Sequence, residues 1–75
     1  VADGERLLGQ GEVSQACRRG EEARRQAPQL APVHKFLGKC YMRAGQVTEA
    51  KESYRRYLDL APNAPDAMFI ESILK

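Results

Sequence analysis

Tryptophan is absent from this chain, histidine occurs once, and there are only two cysteines among 75 residues. The single His34 has no second His, Cys or Asp at ligand spacing, so neither a metal site nor a catalytic dyad is indicated, and a packing or capping role is expected for it. Cys17 and Cys40 stand 23 residues apart, which fits neither a CxxC motif nor a disulfide framework. Reduced thiols buried as small core residues, in a cytoplasmic protein, are the expectation. No apolar run approaches the ~18 residues that a membrane helix needs. Glycine-rich phosphate loops are also missing, because the glycines fall where helices turn. The chain opens at Val1 without an initiator Met or a basic-then-apolar leader, and it reads as a piece excised from something longer. A domain of this size buries roughly 60% of its unfolded surface, which argues against a thick enzyme core. No catalytic residue, metal or cofactor is expected.

Present instead are 43% hydrophobic and 29% charged residues, the balance of a folded globular chain rather than of a disordered or membrane-embedded one. Twelve basic against ten acidic residues leave a net charge of +2, too small to name a partner. Laid against itself, the chain repeats at a shift of 34 residues. Gly4 falls on Gly38, Gly11 on Gly45, Val13 on Val47, Ala16 on Ala50 and Pro28 on Pro62, with Leu7 on Tyr41, Leu8 on Met42 and Ala27 on Ala61 alongside. Within the unit, Val33, Phe36, Leu37, Cys40, Tyr41 and Ala44 recur at helical spacing and form one apolar stripe. Gly45 stops that helix, and Val47, Ala50, Tyr54, Tyr57, Leu58 and Ala61 begin the next. The same reading predicts helices from about Ala2 to Leu8, Glu12 to Gln26 and Pro65 to Leu74, with Pro65 in the first turn of the last and Asp66 favouring its dipole. Alternating β patterns are absent, so the fold class is all-α, built of antiparallel helix pairs.

A 34-residue helix–turn–helix unit with this punctuation resembles the tetratricopeptide repeat, ungapped from Ala31 to Ala64. With Ala31 as the first position, the family pattern meets His34 at the fourth, Leu37-Gly38 at the seventh and eighth, Tyr41 at the eleventh, Ala50 at the twentieth, Tyr54 at the twenty-fourth and Pro62 at the thirty-second. His34 replaces the usual Trp, and Tyr57 replaces an Ala. The earlier copy keeps Gly4, Leu7, Gly11, Ala16, Ala23 and Pro28 but has Asp3 for a Leu and Gly20 for an aromatic. Tyr57 is expected to fill the space left at Gly20. The resemblance implies a short right-handed superhelical solenoid of about five helices in one domain. Residues 1–30 would be a truncated first repeat, 31–64 a second, and 65–75 a capping helix or half repeat. The Arg-over-Lys composition and the closing run APNAPDAMFIESILK look like terminal repeats appended to bacterial multidomain signalling proteins.

Lys35, Lys39 and Arg43 stand at i, i+4 and i+8, an arrangement that sets like charges against each other at a few tenths of a kcal/mol per pair. The resemblance places these positions along the concave groove where family members bind peptides. Lys35, Lys39 and Arg43, with Phe36, Met42 and Leu8 for apolar contact, are therefore the candidate site for an acidic protein segment or a C-terminal carboxylate. The alternative is that Glu5 and Asp66 on flanking segments neutralise the stripe. The specialised clamp of some members, Lys and Asn at groove positions five and nine, is not matched, because those positions hold Val1 and Glu5 in one copy and Lys35 and Lys39 in the other. Favourable i,i+4 order in Glu21–Arg25 and Glu52–Arg56 suggests solvated outer faces. Phe69, Ile70, Ile73 and Leu74 suggest a second function, self-assembly into a homodimer through an open solenoid end. Single-stranded RNA is disfavoured by the interleaved acids, so no nucleic-acid or membrane partner is expected.

Overall fold

The computed structural model describes residues 2–75, which form five α-helices: α1 (Ala2–Gly9), α2 (Val13–Gln26), α3 (Ala31–Arg43), α4 (Val47–Leu60) and α5 (Ala67–Leu74). Among the described residues there is no strand, and no helix is long and apolar enough to cross a membrane. The connections repeat at the same 34-residue shift as the sequence. Gly11 and Gly45 take φ of 83° and 79°, a left-handed backbone that only glycine adopts without strain. At the first turn Glu12 N–H donates to the Leu7 carbonyl at 2.9 Å and Gly11 N–H to that of Leu8 at 3.1 Å. At the second, Gln46 donates to Tyr41 at 2.8 Å and Gly45 to Met42 at 3.1 Å. This is the Schellman ending of a helix, made twice. The ends of α2 and α4 match as well, since Ala27 and Ala61 share nearly the same backbone angles (φ −140° and −138°) and each donates back to its helix.

Helix α3 is the centre of the packing, and Val33, Phe36, Leu37, Cys40 and Tyr41 are all buried along it. Its neighbours are α2 on one side and α4 on the other, and it also touches α1. The inner pair α1 and α3 therefore lie together, whereas α2 and α4 make no contact with each other. One apolar cluster joins Leu8, Ala16 and Cys17 to the α3 stripe and Ala50; a smaller one joins Tyr54 and Tyr57 to Ile70 of α5. Cys17 and Cys40 are both free and buried, and Cys40 is pushed up to about 12 by burial first and then by its contact with Cys17, so it stays a neutral thiol.

Two glycines set the helix spacings. A Cβ at Gly38 would lie 2.6 Å from the Tyr54 ring, and one at Gly20 would lie 2.7 Å from Leu37 and 2.9 Å from Phe36. The Gly20 contact corrects the expected role of Tyr57. Leu37 and Phe36 of α3 fill the space left by the missing aromatic, while Tyr57 belongs to the other cluster and bonds Asp66.

Helix α5 begins at Ala67, two residues later than the sequence indicates. Asp66 occupies the N-cap position without capping, because its carboxylate is drawn to Tyr57 and Lys35 instead.

Because an added Cβ would come within 2.6 Å of the buried Tyr54 ring, Gly38→Ala is expected to cost about 1–3 kcal/mol, the usual range for overpacking. Urea unfolding of the variant measures this; an unchanged midpoint would mean that the ring is free to shift.

Candidate functional site

Each cation of the α3 stripe meets a partner from another segment. Lys39 Nζ donates to the two carboxylate oxygens of Glu5 at 3.0 and 3.4 Å, joining α3 to α1. Lys35 forms an ion pair with Asp66, at the entrance to α5, and its ammonium lies 5.8 Å from the centre of the Tyr57 ring. Arg43 Nη2 donates to the Leu8 carbonyl at 3.4 Å. The stripe is thus neutralised at Lys35 and Lys39 by the two acids weighed against a ligand in the sequence.

Two of the three apolar residues proposed beside it need correcting. Phe36 and Leu8 are each only 3% exposed, because both are consumed in the larger apolar cluster, where Phe36 covers the bare backbone at Gly20. Met42 remains on the surface. What is left on this face is a cleft of about 230 Å³ lined by Glu5, Pro32, Lys35, Lys39 and one side of Phe36.

On α5 the four residues expected at an assembly face divide. Ile70 is 2% exposed and packs on Tyr54 and Tyr57, so it belongs to the interior. Ile73 and Leu74 are half-buried against the same cluster, and Phe69 stands 68% exposed. Met68, which the sequence reading passed over, is 81% exposed beside it. Its signal lay in the helical period, which puts Met68 on the side away from Ile70 and Ile73–Leu74, with Phe69 between the two sides.

His34 is buried, and its Nε2 donates to the Pro28 carbonyl at 2.8 Å, tying the start of α3 to the end of α2. Tyr41 donates its hydroxyl to Glu21 at 2.6 Å and is raised to about 12 by burial first and then by this bond, so it is held as a neutral donor. Glu21 is therefore engaged with Tyr41, and neither Glu21–Arg25 nor Glu52–Arg56 closes into an ion pair; among the described residues the pairs are Arg6–Asp3, Lys35–Asp66 and Lys39–Glu5. No group of three or more metal-ligating side chains comes together among those residues.

Asp66 is the most constrained of these groups. The Lys35 ammonium first, and the Tyr57 hydroxyl at 2.7 Å second, hold its carboxyl below the ordinary 3.8. The fold thus prefers the ionised form, and the stability it adds is present above the ordinary value and lost as pH falls through the lower one of the folded state. Acidification below 3.8 is accordingly expected to loosen α5 before the rest, seen as amide shifts in α5, and Asp66→Asn is expected to remove that step. Uniform acid unfolding of all five helices would contradict it.

The two turns superposable at 34 residues, the stacked inner helices and the splayed outer ones form the setting in which comparisons with known proteins can be judged. The family model of the tetratricopeptide repeat matches residues 7–68, from the end of α1 into α5. No curated protein sequence and no solved structure matches the chain at the significance required. Repeats of this kind generally mediate contacts between proteins, and their family is typically non-catalytic. With the match covering most of its length, the chain belongs to the tetratricopeptide repeat family.

Proposed function

We propose that this chain is a non-catalytic interaction module that holds an acidic segment of a partner protein against α1 and α3. Lys39 carries the reading. Its ammonium sits at the 230 Å³ cleft, and the pair it makes with Glu5 leaves both side chains about half exposed. Such a surface pair contributes only ~0–1 kcal/mol, so a carboxylate of the partner exchanges for Glu5 at little cost. Lys35 is tied more firmly, through Asp66 and Tyr57, and it supplies a flanking field more than a direct contact. Met42 offers the remaining apolar surface.

Glu5 then acts as an internal competitor. In a titration with a fluorescent Asp- and Glu-rich peptide, Glu5→Gln is expected to tighten binding and Lys39→Glu to abolish it, both with a stability change below ~1 kcal/mol. Equal affinities for the two variants would remove the groove from consideration.

A second reading, self-association, is favoured by the adjacent exposure of Met68 and Phe69. Adjacent large apolar side chains on a short helix lower their free energy by meeting another surface. Light scattering over a concentration range is expected to show a dimer that Phe69→Asp dissolves. A strict monomer at high micromolar concentration would eliminate this alternative.

A further inference from the structure

We propose that the outer face of the chain carries a second recognition site, the groove between α2 and α4, which takes an extended peptide bearing an acidic and a basic side chain two residues apart. The groove exists because α2 and α4 do not touch, leaving α3 as its floor. It encloses about 420 Å³, more than the inner cleft, and is walled by Arg24 of α2 and by Glu49, Glu52 and Arg56 of α4. The volume lies within the range of small-ligand and peptide side-chain sites.

Charge separates this groove from the inner face. Lys35 and Lys39 are each engaged by an acid of the same chain, whereas none of Arg24, Glu49, Glu52 and Arg56 forms an ion pair among the described residues. Arginines stand on both walls, and acids on one. A peptide with only acids would face Glu49 and Glu52, and one with only bases would face Arg24 and Arg56. A segment carrying one of each satisfies both signs.

The lining supplies the second, independent sign of a ligand. His34 of α3 and Ser53 of α4 line the groove although each is only 5% exposed. Nε2 of His34 donates to Pro28, and Nδ1 has no hydrogen-bond partner among the described residues. The Ser53 hydroxyl has no hydrogen-bond partner among the described residues. Since no fully sealed side-chain N or O is left unsatisfied, the Ser53 oxygen stays accessible, and it can serve a peptide N–H or C=O. The Tyr41–Glu21 bond fixes α2 to α3 beside the floor, so the groove is preformed.

The spacing follows from helix geometry. Glu52 and Arg56 are four residues apart on α4, about 6 Å along the axis. Side chains two apart on one side of an extended peptide are about 6.7 Å apart. The peptide's base meets Glu52 while its acid lies between Arg56 and Arg24.

The test is an amide-shift titration of the intact chain with blocked peptides carrying Glu-Ala-Lys or Lys-Ala-Glu between alanines, and with Glu-Ala-Glu and Lys-Ala-Lys controls. One mixed order is expected to give saturable shifts at Arg24, Ser53 and Arg56. The variant Arg24→Gln with Arg56→Gln is expected to weaken it about tenfold, as loss of charge-assisted bonds does. Its melting temperature should be unchanged. Glu52→Gln is expected to erase the preference for mixed over all-acidic peptide. Absence of saturable shifts, shifts confined to α1 and the inner side of α3, or equal shifts at Arg24, Ser53 and Arg56 from a control peptide would overturn the proposal.

Discussion

Where α3 crosses α4, the ring of Tyr54 lies on the bare backbone of Gly38, and a single added carbon would come within 2.6 Å of it. Much else follows from that approach. It brings the two helices close enough for Ala50, a residue with almost no side chain, to be fully buried between them. Tyr57, one turn further along α4, donates to Asp66 at the entrance to α5. The joint between α2 and α3 obeys the same rule with the roles exchanged. Gly20, the position equivalent to Tyr54 one repeat earlier, is the bare surface, and Phe36 and Leu37 supply the bulk. Dense packing needs a large group against a small one at each crossing, and it is indifferent to which helix provides which.

This exchange shows where reading the sequence succeeds and where it stops. The period, the helices and both glycine turns were legible, because they depend on residues within one unit and on a backbone angle that glycine alone takes easily. The partner of Gly20 was not. It comes from the following unit, and composition alone offered Tyr57 as an equally plausible ring. Phe36, expected as an open apolar contact, is mostly consumed in packing for a related reason. Helix α3 is flanked by α1, α2 and α4, so apolar residues on more than one of its faces are consumed in packing. Asp66 illustrates a third case. Its place in the expected first turn of the last helix suggested a partner for the helix dipole, but it lies one residue before α5, and its carboxylate is engaged by Lys35 and Tyr57.

The charged residues divide by face. Cations of the α3 stripe, whose like-charge spacing is unfavourable within one helix, become favourable once α1 and the entrance to α5 are in place, since each is matched by a group from elsewhere in the chain. Arginines and acids of α2 and α4, by contrast, were spaced well for pairing within their own helices, yet Glu21–Arg25 and Glu52–Arg56 stay open. At Glu21 the i,i+4 pair, worth only ~0.2–0.5 kcal/mol, yields to the bond from Tyr41.

Glu5 and Lys39 occupy the same position in successive units, 34 residues apart, and they carry opposite charges. Had the two units been identical copies, this contact would have set acid against acid or base against base. A like-charged pair at that place would add a mild repulsion where the present pair adds a mild attraction.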